Sequence, residues 1–242
     1  MGRPWKAAPL SLAAVYVIPL IAAVVGVSFA VVVGRQYLVR RKPYQAIWAL
    51  ALAMFGAAAA FETIGQLAGW SEATYKGYYL FGGLLNVGWL GIGSLAILVP
   101  PRIGRVAVIV MVVISLISIV AVLASHTNST LLKAQVPPAG AIDVPGVIPA
   151  VINTSGSLLL VGGAAWSAWK SFRGGAPGNR VVGLAILAAG AFVVAGGHTL
   201  ARTKGVYVIQ PLSEAVGIAA MFTGYLVIEA RRELAASKPR TA

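Results

Sequence analysis

Seven apolar runs, each close to the length of a membrane-crossing helix, leave this chain little freedom in what it can fold into. They are Pro9–Gly34, Tyr44–Leu67, Tyr78–Val99, Val106–Ala124, Gly146–Trp169, Val181–Ala201 and Tyr207–Ala230. A hydrocarbon core about 30 Å thick is crossed by about 20 apolar residues in an α-helix. Helix breakers stand in the gaps, at Pro43, Pro100–Pro101, Pro137–Pro138 and Gly174–Gly178. Hydrophobic residues make up 59% of the 242 and charged residues only 10%, against roughly a quarter charged in a soluble domain. A soluble enzyme is therefore excluded. So is a nucleic-acid-binding domain, because the net charge of +13 is scattered between the runs and forms no continuous basic face. The absence of cysteine removes disulfides, thiolate metal sites and cysteine nucleophiles. The expected fold is all-α: a polytopic membrane protein whose residues 1–242 form a single seven-helix transmembrane domain. The first run is too long and too weakly basic at its start for a cleaved signal peptide, and it reads as a retained helix.

Basic residues set the expected direction. Thirteen fall on one side of the spans: Arg35, Arg40, Arg41, Lys42, Arg102, Arg105, Lys170, Arg173, Arg180, Arg231, Arg232, Lys238 and Arg240. Six fall on the other: Arg3, Lys6, Lys76, Lys133, Arg202 and Lys204. The positive-inside rule then puts the N-terminus outside and the C-terminus in the cytoplasm. Trp70, Tyr75, Tyr78 and Tyr207 are expected at the outer interface, and Tyr44, Trp48, Trp166, Trp169 and Tyr225 at the inner one.

Spacing suggests a parallel 3+1+3 duplication, with repeats 9–102 and 146–232 joined by helix 106–124. Pro19 and Gly26 correspond in spacing to Pro149 and Gly156, and Gly56-Ala57 to Gly190-Ala191. Gly88 and Arg102 correspond to Gly217 and Arg231. Span four is uncharged, with Ser115 and Ser118 its only polar residues, and suits a spacer that faces lipid or a partner.

Polar side chains in hydrocarbon are costly and usually face a bundle interior or a watery cavity. Glu62, Gln66, Asn86, Asn153, Thr154, Ser155, His198, Gln210 and Glu214 fall on five spans, each on the order of 5–15 Å inside its outer boundary. The cytoplasmic half is expected to hold almost nothing comparable. Glu62, Asn86, Asn153, His198, Gln210 and Glu214 are the candidate ligand-binding residues. Two carboxylates and an imidazole suit a cation, an amine or a hydroxylated ligand.

Other chemistries are weaker. Glu62, His198 and Glu214 offer nitrogen and oxygen ligands without a metal-site spacing, so the metal and any cofactor are left unknown. Ser155 with His198 makes a serine–histidine pair, but Asn153 occupies the position where the intramembrane rhomboid proteases carry glycine. Span seven has no lysine for a retinal Schiff base. An enzyme is therefore not expected. The glycines of span three are expected to serve close helix packing. The outer loop 125–145 either covers the polar cavity or joins two spans.

Three functions fit this pattern. The first is a ligand-binding or sensory module that receives a small molecule or ion from outside and relays its presence to a separate protein partner. In size and span count the chain is similar to the seven-span sensor regions of bacterial signalling proteins. The second is a small-solute or ion transporter or channel using Glu62 and Glu214. The third is an accessory subunit of a larger membrane complex. In each case the expected surroundings are the lipid bilayer, with no nucleic acid. The expected location is the plasma membrane, and the Ala-, Val- and Gly-rich composition points to a prokaryotic inner membrane.

Overall fold

The computed structural model describes residues 12–134, 136–204 and 209–236, with side chains over 16–134, 136–200 and 209–230. Tyr207, Arg3, Lys6, Lys238 and Arg240 lie outside the described residues, as do the side chains of Arg202, Lys204, Arg231 and Arg232. Seven helices are long and apolar enough to cross a membrane. We number them α1 (Leu12–Arg40), α2 (Pro43–Ala68), α3 (Glu72–Leu98), α4 (Pro101–Ala124), α5 (Val147–Arg173), α6 (Gly178–Lys204) and α7 (Ile209–Ala236).

Local chemistry explains the ends. Pro43 and Pro101 occupy first turns, where a missing N–H costs nothing. Ser71 Oγ accepts from the Thr74 N–H at 3.1 Å and caps α3. Gly69 (φ 87°) and Gly175 (φ 64°) supply left-handed backbone just beyond α2 and α5. Several helices overrun their apolar runs: α1 continues to Arg40, α3 starts at Glu72 and α5 ends at Arg173. Hydropathy marks the hydrocarbon, whereas the helical hydrogen bonds continue into the polar zone.

The helices close a ring. α1 packs on α2, α2 on α3, α3 on α5, α5 on α6, α6 on α7, and α7 back on α1. α4 stands outside the ring against α3. Its most apolar stretch is 22% buried, against 50% for that of α3. The two serines of α4 turn toward the protein: Trp89 Nε1 donates to Ser115 Oγ at 3.1 Å, and Ser118 is fully buried.

Glycines let the backbones touch, as they must where lipid supplies no hydrophobic force between helices. On α6 and α7, Gly183 meets Gly224 and Gly190 meets Gly217. A Cβ at Gly183 or Gly190 would lie 2.6 Å from the carbonyl oxygen of its partner. Within each helix the two glycines are seven residues apart, so both lie on one face. On α3 and α5, a Cβ at Gly156 would lie 2.5 Å from the Val87 carbonyl oxygen.

Residues 125–134 and 136–145 form a cap over one end of the ring, here named the loop face; the other end is the far face. Short 3-10 turns at Leu131–Lys133 and Ala139–Ala141 flank a single bridge between Thr127 and Ile142, the nearest approach to a strand among the described residues. Leu132, Ala141, Ile142 and Val144 are buried, and Tyr75 Oη donates to the Pro138 carbonyl at 2.7 Å.

That contact corrects the expected aromatic belt. Tyr75 is 1% exposed and packs with Trp70, Tyr78 and Tyr79 in an inward cluster. Tyr225 is likewise buried and bonded, whereas Trp166 and Trp169 are exposed on the outside of α5. A tyrosine at a span end finds either lipid headgroups or a buried acceptor, and here the cap and α1 supply the acceptors.

Candidate functional site

The site is assembled where α2 ends, α3 begins, α5 begins, α6 ends and α7 begins, immediately beneath the cap. His198 Nε2 lies 2.7 Å from Glu214 Oε1. Gln210, one turn earlier on α7, donates from Nε2 to the same carboxylate oxygen at 3.2 Å and to Tyr78 Oη at 2.5 Å. α3, α6 and α7 are thus joined by one polar chain. Asn153 on α5 donates from Nδ2 to the Gly83 carbonyl at 2.7 Å. Asn86 is 5% exposed and follows directly on the π-helical stretch Tyr79–Leu85.

Glu62 is fully buried on α2. One of its oxygens accepts from Gln66 Nε2 at 3.0 Å, and the other has no hydrogen-bond partner. Glu62 lies behind the cavity wall, and Gln66 borders the outer surface instead.

The cavity has two adjoining lobes. The upper, about 70 Å³, lies under Pro137 and Ala139 of the cap and is lined by Tyr78, His198, Gln210 and Glu214. The lower, about 350 Å³, is mainly apolar, with Phe55, Leu90, Val161, Ile218 and Met221 facing Asn153, Thr154 and Ser157. Phe55, Gly82, Asn86, Val87, Val194 and His198 line both. Cavities of about 300–1,000 Å³ with a few convergent polar groups are the usual form of small-molecule sites. Pro137 and Ala139 of the loop between α4 and α5 thus cover the cavity.

The weaker chemistries gain no geometry. Among the described residues no three His, Cys, Asp or Glu side chains are grouped to hold a metal. Ser155 is on an exposed side of α5 and donates to the Val151 carbonyl at 2.6 Å, while His198 is engaged by Glu214. The two do not form a serine–histidine pair.

The expectation that the half away from these residues is nearly bare of polar groups is overturned. Near the far face, Gln36 Oε1 accepts from Arg40 Nη1 and Gln45 Nε2, each at 3.2 Å, and from Tyr225 Oη. Arg40 Nη2 pairs with Glu229 Oε2 at 2.7 Å, tying α1 to α7. A cavity of about 150 Å³ adjoins this network, lined by Trp48, Ser94, Ser167, Arg180, Tyr225 and Glu229 among others. The two cavities are stacked. Leu90 and Ser94, Leu160 and Gly163, Ala191 and Leu187, and Met221 and Tyr225 line opposite cavities on four helices. Each pair is about one helical turn, roughly 5 Å, apart.

Sequence reasoning missed Tyr78 as a member of the site and the far-face network entirely. The signal for the second was the four-residue spacing of Gln36 with Arg40 and of Tyr225 with Glu229, which places each pair on one helix face. No protein-family model, curated protein or solved structure matches the chain.

Proposed function

We propose that this is a multi-pass plasma-membrane protein that receives a small molecule or ion in the loop-face cavity and relays its presence to a separate protein partner. The observation that carries this reading is the set of buried acceptors left unpartnered around one cavity, Asn86 Oδ1 and Asn153 Oδ1 on its wall and Glu62 Oε2 behind it. Each unmade buried hydrogen bond costs about 1–3 kcal/mol. A structural scaffold gains nothing from gathering such costs on separate helices, whereas a ligand relieves them. The relay is assigned to α7, which carries Glu214 at the cavity and Tyr225 and Glu229 in the far-face network. A shift of α7 on binding alters both ends. α4, outside the ring, offers Ile109, Val113 and Ile117 to lipid or to the partner.

The proposed orientation puts the loop face outside, N-terminus out and C-terminus in, in what the composition suggests is a prokaryotic inner membrane. Arg35, Arg41, Lys42, Arg102, Arg105, Lys170, Arg173 and Arg180 lie toward the far face, and Lys76 and Lys133 toward the loop face. The parallel 3+1+3 plan draws support from α4 standing outside a ring of six. The glycines it would pair do different work: Gly26 meets Phe55 of the neighbouring helix, and Gly156 meets the Val87 backbone.

A second reading, transport, is favoured by the stacked cavities and their thin apolar septum. Uptake of radiolabelled methylammonium into proteoliposomes separates the two: sensing predicts none above empty vesicles, and uptake lost in Glu214→Gln establishes transport.

The chain has no cysteine, so the cavity can be probed one thiol at a time. Ser157→Cys lies in the lower lobe, and Ser155→Cys lies two residues away outside it. A membrane-impermeant methanethiosulfonate added to intact cells is expected to modify Ser157→Cys at least about tenfold faster. Equal rates, or reaction only from the cytoplasmic side, would contradict the water-filled outer cavity.

A further inference from the structure

The cavity is selective in what it leaves unpaired. Among the described residues that line it, the buried side-chain polar atoms without a partner are both acceptor oxygens, Asn86 Oδ1 and Asn153 Oδ1. The orientation of Asn153 is set by its other bond: Nδ2 donates to the Gly83 carbonyl at 2.7 Å, a bond an amide oxygen cannot make. What is missing is therefore a hydrogen-bond donor.

Charge points the same way. Glu214 brings a carboxylate to the wall of the upper lobe. No described lysine or arginine lines either lobe, and the one imidazole is engaged by Glu214. A carboxylate or phosphate ligand would add like charge in a poorly hydrated site. A quaternary ammonium would bring charge without an N–H to donate. The lower lobe adds a demand for shape: its floor is apolar, and its exposed lining residues Thr154, Leu158 and Thr199 lie along the seam between α5 and α6.

We propose that the cavity binds a primary ammonium carried on a short apolar tail, its N–H groups shared by Glu214, Asn86 and Asn153 and its tail along Phe55 and Met221. This rests on the ligand-binding reading above and names the class of ligand. Phe55, Tyr78 and Tyr79 add ring faces that favour a cation.

The test is thermal unfolding of the purified wild-type chain with butylammonium, methylammonium, tetramethylammonium and butyrate, since a ligand of the folded state raises Tm saturably. Butylammonium is expected to do so. Methylammonium should bind more than tenfold more weakly, because each methylene contributes about fourfold. Tetramethylammonium should also be at least tenfold weaker, and butyrate should give no saturable rise. Glu214→Gln should weaken butylammonium at least tenfold. Asn86→Ala should weaken it severalfold while leaving the His198–Glu214–Gln210 chain intact, so that a poorly folding Glu214 variant does not decide the matter.

A saturable response to butyrate, or equal responses to butylammonium and tetramethylammonium, would overturn the ammonium class and leave ligand binding standing. No response to butylammonium while Ser157→Cys remains reactive from outside would do the same. Failure of both experiments would overturn both readings.

Discussion

Gly190→Leu is expected to leave little folded protein in the membrane. A Cβ there would lie 2.6 Å from the Gly217 carbonyl oxygen and 2.8 Å from the Met221 nitrogen, and neither backbone atom can move without its helix. α6 and α7 must separate, and no hydrophobic force in lipid draws them back. The expected cost is about 3 kcal/mol or more, at or beyond the upper end for overpacking. Because α6 carries His198 and α7 carries Gln210 and Glu214, any surviving protein should also lose the polar chain. Gly196→Leu on the same helix is the control. A Cβ at that position meets nothing within 4 Å, so near-wild-type yield and Tm are expected. Monodisperse yield by gel filtration and Tm read both variants. Equal tolerance of the two would refute the close α6–α7 contact.

Glu62→Met is expected to raise stability while impairing the site. Methionine is close to glutamate in length and has no buried oxygen to satisfy. Removing the partnerless Glu62 Oε2 should relieve about 1–3 kcal/mol, and partly exposed Gln66 can turn its amide to solvent. Butylammonium should then bind at least tenfold more weakly, because one of the two carboxylates is gone. Tm of the free variant and its ligand-dependent shift are read in one experiment. A fall in Tm would make Glu62 a structural residue and remove the main reason to see a functional cost in its burial. Opposite signs for stability and binding are the pattern of a group kept for function.

Some of this was legible from residues alone, for physical reasons. Hydropathy reports the hydrocarbon directly, so the seven spans and the peripheral character of α4 were readable. Helix ends such as Arg40 and Glu72 were not, because the backbone stays helical beyond the apolar zone. The cost of burying Glu62, Asn86, His198 and Glu214 marked them as candidates. Tyr78 carried no such mark, since an aromatic at a span end is at home in the headgroup region. Its partner Gln210 is 132 residues away in sequence. The far-face network was missed for a related reason: Gln36, Gln45 and Glu229 sit near helix ends, where polar residues usually meet water. Glycine spacing of seven was visible on the last two spans, but only the packed pair shows that Gly183 faces Gly224 and Gly190 faces Gly217.

The convergence of polar groups beneath the cap can be measured most directly in a density map of the wild-type chain in lipid nanodiscs, with an antibody fragment as fiducial. Density for ordered solvent or a co-purified small molecule is expected within about 2.7–3.2 Å of Asn86 Oδ1 and a Glu214 oxygen, enclosed by Asn153 and His198. Acyl chains or packed side chains filling that space, with Glu62, Asn86, His198 and Glu214 in separate surroundings, would contradict it.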